Sequence, residues 1–177
     1  MRAIIAASVL GLFCIPHVAG GQVQQKAPPT RDEIVAEARS IIHKSHFSTF
    51  ITLGEKGEPQ ARVVDPFEPD SSFVVWVGTN PLTRKVGQIR RDGRVTLLWF
   101  DGSQAYVSLD GRATLVSDAA EKEKHWKEEW AVFYRNRNHG DDYVLIRITP
   151  VRMDVVNYSK GMIGDPKTWR PLVVDFP

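Results

Sequence analysis

The chain has 177 residues, a formal net charge of +2 at pH 7 and a single cysteine. Because the net charge is small and no long basic block occurs, the composition gives no reason to expect nucleic acid or an anionic membrane as a partner. Cys14 lies near the N-terminus, so the rest of the chain can form neither a disulfide nor a thiol nucleophile nor a cysteine metal site.

The first twenty residues have the three zones of a secretory signal peptide. Met1 and Arg2 form a basic start, residues 3–15 are apolar, and small residues occupy 19–21. The apolar run is about 13 residues long, shorter than the ~20 that a transmembrane helix needs, and no second such run follows. We therefore predict a signal peptide over residues 1–20, a periplasmic or secreted mature protein, and no membrane span.

One domain is predicted after the signal peptide. Residues 21–29 are polar and end in two prolines, a composition typical of a flexible lead-in. Residues 30–177 then form a single domain, because about 150 residues are enough for one hydrophobic core. Thr30 and Glu33 have the spacing of a capping box, and an apolar stripe with helical spacing begins at Ile34, so the domain should open with a helix.

Seven later segments have the alternation or the β-branched composition of strands. They cover residues 48–53, 60–64, 73–79, 95–100, 106–116, 143–148 and 151–156. The first two flank a turn and should form a hairpin, Gly111 indicates a bulge or bend in the fifth, and Pro150 separates the last two. Strands in this number, with helices inserted between them, predict a small closed barrel of the α+β class.

Two further helices are predicted between the strands. Asn80 can cap a short helix that places Leu82 on its buried face. A longer helix is predicted over residues 119–133, capped by Asp118. Its apolar stripe consists of Trp126, Trp130 and Phe133.

The segment TNPLTRK at residues 79–85 lies between a strand and a helix and combines hydroxyl groups with two cations. Its candidate ligand-binding side chains are Thr79, Thr83, Arg84 and Lys85. Unpaired amides and the positive end of the helix dipole meet at the start of a helix, so this segment is suited to bind a phosphate. A capped surface helix with solvated basic side chains is the alternative interpretation, and the spacing alone does not decide between them.

Five segments follow one another in the order seen in a known family. They are ARVV at 61–64, FVVWVGT at 73–79, TNPLTRK at 79–85, VTLLW at 95–99 and YVSLDGRATLV at 106–116. Through them, the region from Phe47 to Tyr158 resembles the FMN-binding split barrels related to pyridoxamine 5′-phosphate oxidase, and the general stress protein branch more than the oxidase itself. The resemblance implies an α+β fold, a small split β-barrel of six or seven antiparallel strands with peripheral helices.

The same resemblance implies a homodimer with FMN in the cleft between the two subunits, acting as an oxidoreductase on a small molecule. Arg62, Arg84 and Lys85 match the family's phosphate ligands, with the hydroxyl of Thr83 beside them. Val63, Val64, Gly78 and Thr79 match the lining of the isoalloxazine ring, and Tyr106 matches a residue that reaches over from the partner chain.

Other ligands are compatible with the resemblance. The same barrel can bind flavin or haem without turnover, can take deazaflavin in place of FMN, or can work without a cofactor. Haem would need an axial ligand such as His43, His46 or His139. Because His43 and His46 lack a clear third ligand, we interpret them as surface or capping residues rather than a metal site, and His125 as a packing residue.

Three departures from the oxidase pattern argue against pyridoxamine phosphate as a substrate. Oxidases of the family carry a lysine at the position of Phe67 and a glutamine at that of Tyr106. They also carry an Arg-rich C-terminal segment that grips the pyridoxamine substrate, of which Arg170 is the only counterpart here. Asp65 and Asp70 lie beside prolines, and we interpret both as loop residues.

Overall fold

The computed structural model describes residues 27–177, so the predicted signal peptide and residues 21–26 of the lead-in lie outside the described residues. The helices are α1 (Arg31–Ser45), α2 (Arg84–Arg91) and α3 (Ala119–Lys124). The strands are β1 (Ser48–Leu53), β2 (Pro59–Val64), β3 (Val75–Thr79), β4 (Arg94–Phe100), β5 (Ala105–Val116), β6 (Val144–Asn157) and β7 (Leu172–Asp175). Within residues 27–177, none of the helices has the length and apolar character needed to cross a membrane.

Helix α1 begins as the sequence predicts. The hydroxyl of Thr30 accepts the amide of Glu33, and the Glu33 carboxylate in turn accepts the amide of Thr30 at 2.7 Å, which completes the capping box. The apolar stripe of the helix, which includes Ile34 and Ile41, is buried in the main core. His46 ends the helix with a positive φ of 58°.

The seven strands form one antiparallel sheet in the order β2-β1-β4-β5-β6-β3, with β7 paired to β6. Strands β2 and β3 lie at opposite ends of this order, yet the chain just after β2 meets β3 through a bridge between Pro66 and Val77. The amide of Phe67 also donates to the carbonyl of Trp76 at 2.9 Å. The sheet therefore curls into a barrel whose edges touch here and diverge on either side, which confirms the predicted split barrel.

A bulge joins β5 and β6 at Gly111. The register shifts between Asp110 and Gly111, and Pro150 lies opposite the glycine inside a continuous β6. A Cβ on Gly111 would lie 2.8 Å from the carbonyl oxygen of Thr149, so no larger residue fits without displacement. The bend at Gly111 is confirmed, whereas the prediction of two strands separated by Pro150 is wrong, because the bulge accommodates a residue that lacks an amide proton.

The predicted start of the short helix is wrong. The Asn80 side chain accepts the amide of Leu82 at 2.9 Å, and the Asn80 carbonyl accepts the amide of Thr83 at 3.1 Å, so residues 80–83 form a turn. Helix α2 begins only at Arg84, and Leu82 is 91% exposed rather than buried. The asparagine side chain stabilises a turn here in preference to a helix.

The long helix predicted over residues 119–133 is also wrong beyond its first turns. Asp118 caps α3 as predicted, but α3 ends at Lys124 and a 3₁₀ turn, Glu128–Val132, follows. The predicted stripe does not stay on one face: Trp130 is buried, whereas Phe133 is 76% exposed. The indole of Trp130 finds its partners on the sheet, and these tertiary contacts outweigh helix propensity.

Apolar residues form two clusters on opposite sides of strand β3. Val75 and Val77 point into the barrel, where the main core includes Phe50, Leu97 and Trp99. Trp76 points outward and belongs to a second cluster. We call five of its aromatic side chains the aromatic layer: Trp76, Trp126, Trp130, Tyr134 and Tyr143. Residues between α3 and β6 thus cover the outer face of β3 and β6.

Candidate functional site

A cleft of about 180 Å³ opens where β2 and β3 diverge. Five of the predicted site residues line it: Val63 and Val64 on β2, Gly78 and Thr79 on β3, and Lys85 on α2. Asp65, Trp130, Phe133 and Tyr134 complete the lining, and none of these four was predicted as a site residue. The barrel split thus brings together side chains from three elements that are distant in sequence.

Arg62 lies beside this cleft on the edge strand β2. Its guanidinium donates to the hydroxyl of Thr52 at 2.7 Å, to the carbonyl of Phe50 at 3.2 Å and to the side-chain oxygen of Gln88 at 3.1 Å. All three acceptors are neutral, so the hydrogen bonds fix the orientation of the guanidinium without neutralising its charge.

A buried polar network supports Arg62 and was missed by the sequence analysis. The hydroxyl of Thr52 donates to the Gln88 side chain, and the Gln88 amide group donates to Gln60 at 2.7 Å. Thr52 is fully buried and Gln88 is 6% exposed. The only available signal was the position of Gln88 one helical turn after Arg84, on the face that also carries Lys85.

Arg62, Arg84 and Lys85 form what we call the cation cluster. Burial and then the nearby Arg84 lower the pKa of Arg62, while burial and then Arg62 lower the pKa of Lys85. Within residues 27–177, neither Arg84 nor Lys85 has a side-chain hydrogen bond or a carboxylate partner. Three positive charges therefore converge with no counter-ion from the part of the chain that the structure describes, an arrangement suited to an anionic ligand.

The start of α2 adds donors to the same place. Thr83 is the N-cap, but its hydroxyl donates to the carbonyl of Asn80 at 2.9 Å and makes no cap bond to the helix. No acidic residue lies in the first turn of α2. The first-turn amides and the helix dipole therefore act together with Arg84 and Lys85. Thr79 is buried, and its hydroxyl lies 3.4 Å from that of Thr83.

Gly78 places the aromatic layer directly against the wall of the cleft. A Cβ at position 78 would lie 2.5 Å from the Trp130 ring and 2.6 Å from the Tyr143 hydroxyl oxygen. Only glycine permits this approach without displacing one of the two rings. The cleft consequently has a rigid aromatic boundary beside strand β3.

Asp65 anchors the aromatic layer and is more than the loop residue that the sequence suggested. Its carboxylate accepts the ammonium of Lys127 at 2.6 Å and the indole N–H of Trp130 at 3.0 Å. The Nε2 atom of His46 lies 3.6 Å from the same carboxylate. We call Asp65, Lys127 and Trp130 the Asp65 cluster. Asp70, in contrast, accepts two backbone amides of its own loop, as a loop residue should.

Tyr106 does not line the cleft in the single chain. It lies on the outer face of β5, opposite Phe100 on β4 and Val156 on β6. This face also carries Val63, which is 70% exposed, and Phe100, which is 56% exposed. It therefore presents apolar surface to solvent, with Tyr106 at one end.

None of the three histidines considered as axial ligands lines the cleft. His43 pairs with Glu68 at 2.7 Å, and His139 lies 3.9 Å from Glu123. Nε2 of His46 lies 3.6 Å from Oδ1 of Asp65, the oxygen that Lys127 also contacts. Among the described residues, no group of three or more histidine, cysteine or acidic side chains has a geometry that could hold a metal ion.

The protein family described as pyridoxamine 5′-phosphate oxidase matches residues 34–157, which is most of the domain. The chain therefore belongs to this family of split barrels, as the sequence resemblance implied. A search of curated proteins found no significant match.

Solved structures show the same fold. General Stress Protein 26 from Bacillus anthracis is 20% identical, with a TM-score of 0.64 over 80% of this chain and 97% of its own. A Clostridium acetobutylicum protein related to general stress protein 26 is 19% identical, with a TM-score of 0.69 over 82% of this chain and 96% of its own. A heme binding protein from Mycobacterium smegmatis is 20% identical, with a TM-score of 0.58 over 72% of this chain and 55% of its own.

Proposed function

We propose that this protein is an exported flavin-binding split barrel that holds FMN at the cleft and transfers electrons to or from a small molecule. The observation that carries the proposal is the cation cluster, in which Arg62, Arg84 and Lys85 converge without a carboxylate from any described residue. A flavin phosphate would supply the missing negative charge and accept the free amides at the start of α2.

The remaining predicted residues are suited to contact the isoalloxazine ring of FMN. Val63, Val64 and Gly78 offer an apolar wall and exposed backbone for a planar ring, and Thr79 offers a hydroxyl group. When bound, FMN would supply the redox chemistry, accepting and returning electrons at its ring. The chain's own contribution would be to hold the phosphate, to orient the ring against β2 and β3, and to limit water through Trp130, Phe133 and Tyr134.

The size of the cleft supports a homodimer. At about 180 Å³ it is smaller than the roughly 300–1,000 Å³ of typical small-molecule sites, so one chain would enclose only part of a flavin nucleotide. The outer sheet face with Val63, Phe100 and Tyr106 offers apolar surface for a second copy. In that arrangement Tyr106 of one subunit would approach the cleft of the other.

Pyridoxamine phosphate is not the substrate that we propose. Phe67 occupies the position of the oxidase lysine, and its ring packs edge-on against His125 and Trp130 at 5.2 and 5.5 Å. An apolar ring at this point cannot bind a substrate phosphate. Arg170, in the C-terminal loop, is exposed to solvent.

The first experiment is to measure flavin binding by the purified mature protein. A chain exported unfolded would acquire its ligand after folding, so FMN should be added back before titration calorimetry and visible spectroscopy. Riboflavin, which lacks the phosphate, is the matched ligand control. We expect FMN to bind at least about 100-fold more tightly than riboflavin, because two or more charge-assisted contacts would be lost.

A pair of double variants tests the residues. Arg84→Ala with Lys85→Ala should abolish the preference for FMN over riboflavin, whereas Arg90→Ala with Arg91→Ala, at the other end of α2, should leave it intact. Failure to bind FMN, F420-type deazaflavin or haem after reconstitution would refute ligand binding at the cleft. Binding of flavin without reduction or reoxidation by any donor or acceptor tested would favour the non-catalytic alternative.

Export is tested separately by following the full-length chain in cells. Processing near residue 20 and recovery in the periplasmic or extracellular fraction are expected, as judged by N-terminal sequencing of the mature protein. An unprocessed chain in the cytoplasmic fraction would contradict the export proposal and leave the flavin proposal standing.

A further inference from the structure

A second cavity, of about 500 Å³, lies outside the barrel next to the Asp65 cluster. It is enclosed by the end of α1, the loop after β2 and residues 124–127. Its apolar walls are Ile42, Pro66, Phe67 and Trp76. None of the predicted flavin-site residues lines it, and its volume falls within the roughly 300–1,000 Å³ typical of small-molecule sites.

The acidic groups around this cavity already have partners. The Glu68 carboxylate is 2.7 Å from Nδ1 of His43. One Asp70 oxygen accepts the amides of Ser72 and Val74 at 2.8 and 2.9 Å. The carboxylates at the rim are therefore engaged, which leaves the cavity without a strong demand for a cationic ligand.

Two basic groups that line the cavity keep polar atoms with no partner within residues 27–177. Lys124 has no hydrogen bond or ion pair with any described residue. The side chain of His125 is 9% exposed and stacks on Trp76 with ring centroids 4.2 Å apart. Its Nδ1 donates to the carbonyl of Glu121 at 3.0 Å and lies 3.3 Å from the carboxylate of the same residue. In the neutral ring Nε2 is then an acceptor, and it has no partner within residues 27–177.

We propose that this cavity binds a small aromatic acid that carries a hydroxyl or amino substituent. The ring would pack among Phe67, Trp76 and Ile42, since aromatic surfaces of this kind bury planar rings well. The carboxylate would pair with Lys124, and the substituent would donate a hydrogen bond to Nε2 of His125. The proposal is independent of flavin binding, because it uses a different cavity and different residues.

Titration calorimetry with four probes tests the ligand class on the purified protein. The probes are 4-hydroxybenzoate, benzoate, 4-hydroxybenzamide and acetate. We expect 4-hydroxybenzoate to bind most tightly, the neutral amide and benzoate each several-fold more weakly, and acetate not at all. Quenching of tryptophan fluorescence should accompany binding, because Trp76 forms part of the wall.

Variants locate the site. Lys124→Glu should weaken 4-hydroxybenzoate about tenfold, since attraction is replaced by repulsion at a partly exposed position. Lys56→Glu, in the turn before β2, is the matched control and should have no effect. His125→Phe keeps a ring against Trp76 and should remove the advantage of 4-hydroxybenzoate over benzoate. Circular dichroism checks that His125→Phe folds. If it does not, Lys124→Glu still tests the proposal, because Lys124 lies on the exposed side of α3.

The proposal fails if none of the aromatic acids binds at 10 mM, on the order of the weakest useful affinity. It also fails if binding is unchanged in Lys124→Glu. Loss of 4-hydroxybenzoate binding in the Arg84→Ala, Lys85→Ala variant would place the acid at the cation cluster and overturn the assignment. Retention of binding in that variant, together with its loss of FMN, would support two separate sites.

Discussion

The cation cluster and the Asp65 cluster lie three residues apart on β2 and its continuation, yet they are built in opposite ways. Around Arg62, three cations converge with no carboxylate partner among the described residues, and burial followed by their mutual repulsion lowers the pKa of Arg62 and Lys85. At Asp65, one carboxylate collects an ammonium and an indole donor. The first cluster is electrostatically incomplete without a ligand, whereas the second is complete and holds the aromatic layer. The missing counter-charge is therefore the property on which we base the proposal of a binding site at the first cluster.

The largest expected effect is loss of the Asp65 carboxylate. Asp65→Ala should lower the free energy of unfolding by about 3 kcal/mol, because it leaves the mostly buried ammonium of Lys127 and the indole N–H of Trp130 without a partner. Chemical denaturation measures this. Asp141→Asn, in an exposed loop, is the control and should be neutral. A loss of less than 1 kcal/mol, about that of an exposed pair, would mean that the two clusters do not differ as described.

Gly78 lies between the cleft and the aromatic layer, and it offers the second test. Gly78→Ala should lower the free energy of unfolding by about 1–3 kcal/mol, since its methyl group would overlap the Trp130 ring. The matched variant is Gly87→Ala on the exposed face of α2, where nothing lies within 4 Å of an added Cβ. It should instead raise stability by up to about 1 kcal/mol through helix propensity. Equal effects at both glycines would contradict the close aromatic wall.

A smaller effect, of opposite sign, is expected at the cation cluster. Lys85→Gln should raise the melting temperature of the ligand-free protein by about 1–2 °C, because it removes a half-buried charge that faces Arg62. Arg90→Gln, in the last turn of α2, removes a solvated charge and should change it little. A lower melting temperature for Lys85→Gln would show that Lys85 stabilises the fold.

The smallest expected effect is the pH dependence of the stability difference between Lys85→Gln and the parent protein. Burial and Arg62 lower the pKa of Lys85 below its ordinary 10.5, so the unfolded chain binds more protons between the two values. The stability penalty of Lys85 is therefore complete below the lowered pKa and disappears as the pH rises to 10.5. The gap between Lys85→Gln and the parent protein should narrow over that interval, as measured by denaturation at several pH values.

The sequence was sufficient for the parts of the fold that local pattern determines. The capping box of α1, the hairpin and the bulge at Gly111 each depend on a few adjacent residues and were found correctly. The helix predicted over 119–133 failed because its aromatic residues pack on a sheet that no local pattern reveals. The helix start predicted at Asn80 was wrong because an asparagine side chain accepts backbone amides in turns as well as at helix starts.

The candidate site, like the fold, was predicted only in part from the sequence. Residues within the matching segments, such as Val64 and Lys85, were brought to one cleft. Gln88 and Asp65 were missed because their roles depend on neighbours distant in sequence: Gln88 meets Arg62, and Asp65 meets Trp130. A polar network between elements that are distant in sequence has no characteristic residue spacing, so local sequence patterns do not predict it.

The bridge between Pro66 and Val77 has a thermodynamic consequence. It joins strands at opposite ends of the sheet order, so the two walls of the cleft are also the two free margins of the whole sheet. An anion that contacts both margins would hold them together and so stabilise the barrel. Ligand affinity and global stability would then be linked, and the melting temperature should rise with the logarithm of ligand concentration once that exceeds Kd.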